Sequence, residues 1–149
     1  MKSDTIGRPM EILLVEDSLT SARLTIAALK RSEVEHRLTW LSNGDEAAEF
    51  VTRQGKYKQA PKPDLILLDL ALPGLDGEGI LSLVRGADEL RDVPVVVLTG
   101  SEKKIRPCTM DVEGYLTKPI DIEQFLKLVA ELKRFWKNDM ILPATAAQV

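Results

Sequence analysis

Four apolar runs in this chain each stop at a polar residue, and this pattern limits the possible folds more than any other feature. Glu11-Ile-Leu-Leu-Val15 meets Glu16-Asp17, and Asp64-Leu-Ile-Leu-Leu68 meets Asp69. Val93-Pro-Val-Val-Val-Leu98 meets Thr99, and Tyr115-Leu-Thr117 meets Lys118-Pro119. Apolar runs without alternation suit parallel strands buried on both faces. Parallel strands put all their C-termini on one edge of the sheet. Three acids, a hydroxyl and an amine are therefore expected to meet there, at the edge where open parallel sheets bind ligands.

Between these runs the period changes from strand to helix. Ser18 to Arg31 places Leu19, Ala22, Arg23, Ile26, Ala27 and Leu29 with helical spacing. His36 to Leu41 alternates, with Leu38 and Trp40 against Arg37 and Thr39, as an edge strand does. Asn43 can cap a second helix, with Glu46 completing a capping-box-like pair. Pro73-Gly-Leu-Asp-Gly77 is a loop by its glycines and proline, and Glu78 to Ala87 a third helix. The segment Glu102 to Val112 contains Pro107, which lacks an N–H and clashes in a helix interior, so a shortened or irregular fourth helix is expected. Asp121 caps the last helix, with Ile122, Phe125, Leu126, Val129, Leu132 and Phe135 along one face. Strand and helix alternate five times, which predicts an α/β doubly wound five-stranded parallel sheet. Residues 1–9 are expected to be a flexible N-terminus, 10–137 the domain, and 138–149 an apolar tail inviting a partner or dimer contact.

Composition excludes several classes. A net charge of −3, with no long basic stretch, argues against nucleic-acid binding. A single cysteine, Cys108, permits no intrachain disulfide or cysteine-rich zinc site. With no apolar run of membrane-spanning length and no signal-like N-terminus, a cytoplasmic location and no membrane partner are expected.

Carboxylates crowded at one point repel and need a counter-charge. Mg²⁺ suits a few carboxylates plus a phosphate oxygen. Lys118 brings a second positive charge and Thr99 a hydroxyl, both fitted to phosphoryl oxygens. An aspartate among such groups can act as a nucleophile and form an acyl phosphate. Asp69, ending the most apolar run, is the strongest candidate. Gly74 and Gly77 are expected to let the next loop close over the site.

These motifs bring a family into view. Over roughly residues 10–136 the sequence resembles the receiver domain of two-component response regulators, which implies a flavodoxin-like (CheY-like) sheet of order 2-1-3-4-5. On Val15-Glu-Asp-Ser18 the resemblance implies that Asp17 binds Mg²⁺ directly and Glu16 through water. Leu68-Asp69-Leu70 matches the phosphoacceptor, and the Ala71 carbonyl is implied as a further metal ligand. Leu98-Thr99-Gly100 matches the switch threonine and the small residue that leaves the phosphoryl group accessible. Tyr115-Leu-Thr-Lys118-Pro119 matches the switch aromatic and the lysine, with a cis peptide before Pro119. Gln54 to Asp64, together with Phe135-Trp136 and Ile141-Leu-Pro143, is similar to phytochrome-associated response regulators. That implies a phytochrome-type sensor histidine kinase as phosphodonor, a downstream protein partner, and a homodimer.

Two departures stand out. Ala71 replaces a longer side chain, and the stretch from Thr99 to Lys118 is shorter than is usual in the family, which bears on output and dimerisation. The leading function is a single-domain response regulator that signals by phosphorylation-dependent protein contact, and is not an enzyme beyond its own phosphotransfer and autodephosphorylation. A phosphate sink or relay, or a non-cycling dimerising scaffold, is the alternative. An aspartate-nucleophile phosphohydrolase is disfavoured because Ala71 stands where its second acid belongs. His36 is expected to be a surface strand residue and Cys108 a packed or incidental one.

Overall fold

The computed structural model describes residues 7–69, 76–100 and 112–141. Its strands are β1 (Met10–Val15), β2 (His36–Leu41), β3 (Leu65–Asp69), β4 (Val95–Thr99) and β5 (Gly114–Thr117). All pair in parallel, in the order β2-β1-β3-β4-β5. The order implied by the resemblance is present, and β2, the alternating strand, lies on an edge. Every residue of β3 is buried, as its uninterrupted apolar sequence requires.

Successive side chains on a strand point to opposite faces, and both faces are covered. Ile12 and Leu14 of β1, with Leu65 and Leu67 of β3, pack against helices α1 (Leu19–Arg31) and α4 (Ile122–Glu131). Leu13 and Val15, with Ile66 and Leu68, pack against α2 (Gly44–Val51) and α3 (Gly77–Gly86). A fully buried Leu or Ile contributes roughly 1.5–3 kcal/mol, so these interleaved residues hold the sheet rigid beneath its polar edge.

The helix starts follow from short polar side chains. Asn43 Oδ1 accepts from the Glu46 amide at 2.8 Å, and Asp121 Oδ1 from the Glu123 amide at 2.8 Å. Glu46 does not complete the expected box in the same way: its carboxylate lies 3.6 Å from Lys56 Nζ. Two further expectations change. Gly77 opens α3 instead of remaining in the loop, with Asp76 as cap. The buried stripe of α1 is Ala22, Thr25, Ala28 and Leu29, while Leu19 and Ala27 face outward. The expected irregular helix falls outside the described residues except at Val112, as do Gly74, Cys108 and the tail beyond Ile141.

The described parts of both chain ends are fastened to the domain. Arg8 reaches both carboxylate oxygens of Asp64 at 2.7 and 3.0 Å, and its Nε lies 3.0 Å from Asp139. Arg8 N–H donates to the Asp139 carbonyl, and Ile141 N–H to that of Arg8. Met140 is buried in the α1–α4 core rather than offered to a partner. Arg8 and residues 139–141 thus contact the folded body.

At the start of β5 the packing is close. A Cβ on Gly114 would lie 2.8 Å from Leu128 Cδ1 on α4. Gly114→Val is expected to lower stability by about 1–3 kcal/mol through overpacking, read as a lower urea midpoint at an unchanged denaturant slope.

Candidate functional site

Strand register brings the polar ends together. Val15 is opposite Leu68, Asp69 opposite Leu98, and Thr99 opposite Thr117. Glu16, Asp69, Thr99 and Lys118 therefore stand at one edge, with Asp17 at the turn into α1. Carboxylate oxygens of Glu16, Asp17 and Asp69 lie within 4.8 Å of one another.

Charge is concentrated there. Among the described residues, Glu16 and Asp69 are the buried acids; the other buried polar residues, Thr25 and Ser32, are uncharged. Lys118 Nζ bridges the two acids, at 2.9 Å from Glu16 Oε1 and 3.2 Å from Asp69 Oδ2. Two like charges about 4 Å apart repel by about 4 kcal/mol at the effective dielectric near a protein surface. The bridging ammonium, held close to both acids, outweighs this repulsion, but three acids against one ammonium still leave the site with excess negative charge. Burial pushes the Glu16 carboxyl above the ordinary carboxylate range, the hydrogen bond from Lys118 pulls it partway back, and neighbouring Asp69 raises it again. Burial lowers the Lys118 ammonium, but its bond to Glu16 and the charge of Asp69 outweigh that and leave it raised.

The set fits a hard divalent cation. It offers three carboxylates within reach of one another and more negative than positive charge, the donor chemistry that Mg²⁺ takes. Around it, the backbone holds Glu16 from several sides. Its N–H donates to the Leu41 carbonyl at 3.0 Å, and Ser18 N–H donates to its Oε2 at 3.2 Å. The Trp40 indole N–H donates to the Glu16 carbonyl at 2.7 Å. Sequence reasoning missed the contacts from Ser18 and Trp40.

The other expected residues are placed as follows. Lys118 N–H donates to the Thr99 carbonyl at 2.7 Å, which ties the ends of β4 and β5, and the Lys118–Pro119 peptide is cis. Gly100 is exposed, and among the described residues a Cβ there would meet nothing within 4 Å. Ser21, Leu24, Gly100, Lys118 and Pro119 line a cavity beside the site. Tyr115 lines a separate groove between β5 and α4 with Gln124, Lys127 and Leu128. Ala71 lies outside the described residues. Among those residues no helix is long and apolar enough to cross a membrane.

Comparison with known proteins agrees with this geometry. The response regulator receiver domain family matches residues 12–130. Response regulator Rcp1 of Synechocystis sp. is 40% identical over 145 residues, 95% of this chain and 99% of that protein. The structure of its Mn²⁺-bound form superposes with a TM-score of 0.68, covering 91% of this chain and 100% of that one. The bacteriophytochrome response regulator RtBRR superposes at a TM-score of 0.77 and 32% identity, covering 94% of this chain and 87% of that one. The phosphorylated cyanobacterial phytochrome response regulator RcpA does so at 0.68 and 34% identity, covering 91% and 99%.

Proposed function

The chain belongs to the response regulator receiver domain family, and from that premise we propose that it takes a phosphoryl group from a sensor histidine kinase onto Asp69, with Mg²⁺ held by Glu16, Asp17 and Asp69. The observation that carries this reading is the bridge from Lys118 to both Glu16 and Asp69, with Asp17 alongside. An Asp69 carboxylate oxygen attacks phosphorus, the P–N bond to the kinase histidine breaks, and an acyl phosphate forms. When bound, the cation neutralises the carboxylates and screens the incoming phosphoryl oxygens. In this reading Lys118 exchanges a carboxylate contact for a phosphoryl oxygen, and the Thr99 hydroxyl donates to another.

Phosphorylation then biases a two-state equilibrium read by a downstream protein. The groove beside Tyr115, between β5 and α4, is a surface for that contact. Similarity to the bacteriophytochrome response regulator RtBRR and the cyanobacterial phytochrome response regulator RcpA supports a phytochrome-type kinase as the donor.

Incubation with Mg²⁺ and acetyl phosphate should add the mass of one phosphoryl group, labile to hydroxylamine and absent when Mg²⁺ is chelated. Failure to gain that mass from acetyl phosphate and from a phytochrome-type kinase alike would overturn the assignment. Faster transfer from an unrelated histidine kinase than from the phytochrome type would remove the phytochrome link alone.

A further inference from the structure

We infer that Trp40 is a positioning residue for the metal-binding acids: its indole N–H fixes the Glu16–Asp17 peptide and so sets the spacing of the three carboxylates. The inference rests on the proposed Mg²⁺ site and deepens it.

Trp40 lies on edge strand β2, opposite Leu14 of β1, with its ring against the core shared by α1 and α4. From there it reaches past the end of β1 to the Glu16 carbonyl at 2.7 Å. The other attachments of Glu16 hold different atoms. The Leu41 carbonyl holds its N–H, while Ser18 N–H and Lys118 hold its carboxylate. The carbonyl belongs to the peptide that carries Asp17, so its direction governs where the Asp17 side chain starts. Rotation of this peptide would move Asp17 relative to Glu16 and Asp69, which sit in or beside the rigid sheet. Mg²⁺ demands near-ideal oxygen geometry, so such a rotation falls directly on affinity.

Indole N–H groups usually find a partner when buried. Trp136 illustrates this, donating to the Val129 carbonyl at 2.7 Å within the α4 region. Trp40 differs in two ways. It is only partly buried, so water could satisfy its N–H and burial alone does not force the bond. Its partner is also the main chain of a residue in the acid cluster. A phenylalanine or leucine would supply the same apolar packing, but neither carries a donor.

The test measures metal affinity and the indole signal separately from phosphorylation. Trp40→Phe is expected to raise the Mg²⁺ Kd about 10-fold, the scale seen when outer partners of metal ligands are removed. Phosphorylation by acetyl phosphate should slow at limiting Mg²⁺ and recover at saturating Mg²⁺, because the reacting groups are intact. Benzothienylalanine at position 40 keeps the bicyclic shape without the N–H; it should raise the Kd equally with the thermal midpoint unchanged. In heteronuclear NMR of the wild type, the Trp40 indole resonance should move in step with Mg²⁺ saturation and that of Trp136 should not. A benzothienylalanine variant whose Kd stays within about twofold of wild type would overturn the inference, as would a Trp40 resonance indifferent to Mg²⁺ that binds. A wild type that binds no Mg²⁺ would instead remove the metal reading beneath it.

Discussion

Asp69→Asn is expected to reduce Mg²⁺-dependent phosphorylation to below about a thousandth of the wild-type rate, since it removes the nucleophile itself. The side chains are nearly isosteric, so the β3 end should keep its place between Val15–Glu16 and Leu98–Thr99. An amide oxygen, however, is a poor nucleophile toward phosphorus and a weaker ligand for a hard cation. The variant should also stay folded, for a reason visible in the electrostatics. Asp69 is one of the causes that raise the Glu16 carboxyl, so its neutralisation lets Glu16 ionise more readily and leaves Lys118 a partner. Mass measurement after acetyl phosphate treatment, beside a thermal melt, separates lost chemistry from lost fold. Undiminished labelling of a folded variant would move the acceptor elsewhere.

Lys118→Met should have the second largest effect, and it should act on both chemistry and stability. Loss of one donor aimed at a transferring group costs about 10²–10³ in rate, so phosphorylation should fall by that factor even at saturating Mg²⁺. The metal-free protein should also lose roughly 3 kcal/mol at neutral pH, the scale for breaking a buried ion pair and leaving its partner charged. The sign of the pH dependence follows from Glu16. Its folded-state carboxyl is already raised by burial, and removing the Lys118 hydrogen bond takes away its main opposing influence, so it rises further. A raised carboxyl binds protons more tightly in the folded state than in the unfolded one. Its stabilising contribution is therefore complete below the unfolded value and is lost as pH climbs through the folded one. The deficit of Lys118→Met against wild type should be smallest in acid and grow toward neutrality. Urea unfolding of both proteins across that range, without metal, measures it. A deficit that is flat or shrinks with rising pH would mean that the Glu16–Lys118 pair does not govern the site's charge balance.

Much of this site could be read from the chain because burial on both faces leaves few choices for a strand. Leu65 to Leu68 had to be apolar throughout, so a polar residue immediately after such a run marks a strand end at a functional edge. Glu16, Asp69, Thr99 and Lys118 were found this way. The caps at Asn43 and Asp121 were legible because capping is a local contact between a short polar side chain and an amide two or three residues on. Strand order was not legible from pattern; it came with the family resemblance and agrees with the pairing observed. The α1 stripe was misread at Leu19 and Ala27, because hydrophobicity ranks leucine above threonine, whereas the direction each side chain takes from the helix buries Thr25 and leaves Leu19 half exposed.

What the tertiary structure decided shares one physical character: it depends on contacts between distant segments through groups that carry no sequence signal. The Trp40 indole meets a backbone carbonyl 24 positions away, and every residue has a carbonyl, so no spacing could point to Glu16. Arg8 ties Asp64 to Asp139 across the chain, a pairing that no local spacing announces. The amino-acid order alone determined which residues stand at the polar edge, since continuous burial forces those runs into parallel strands. How firmly that edge is held, and by which side chains, was decided only when register and packing set the donors against the backbone of the acids.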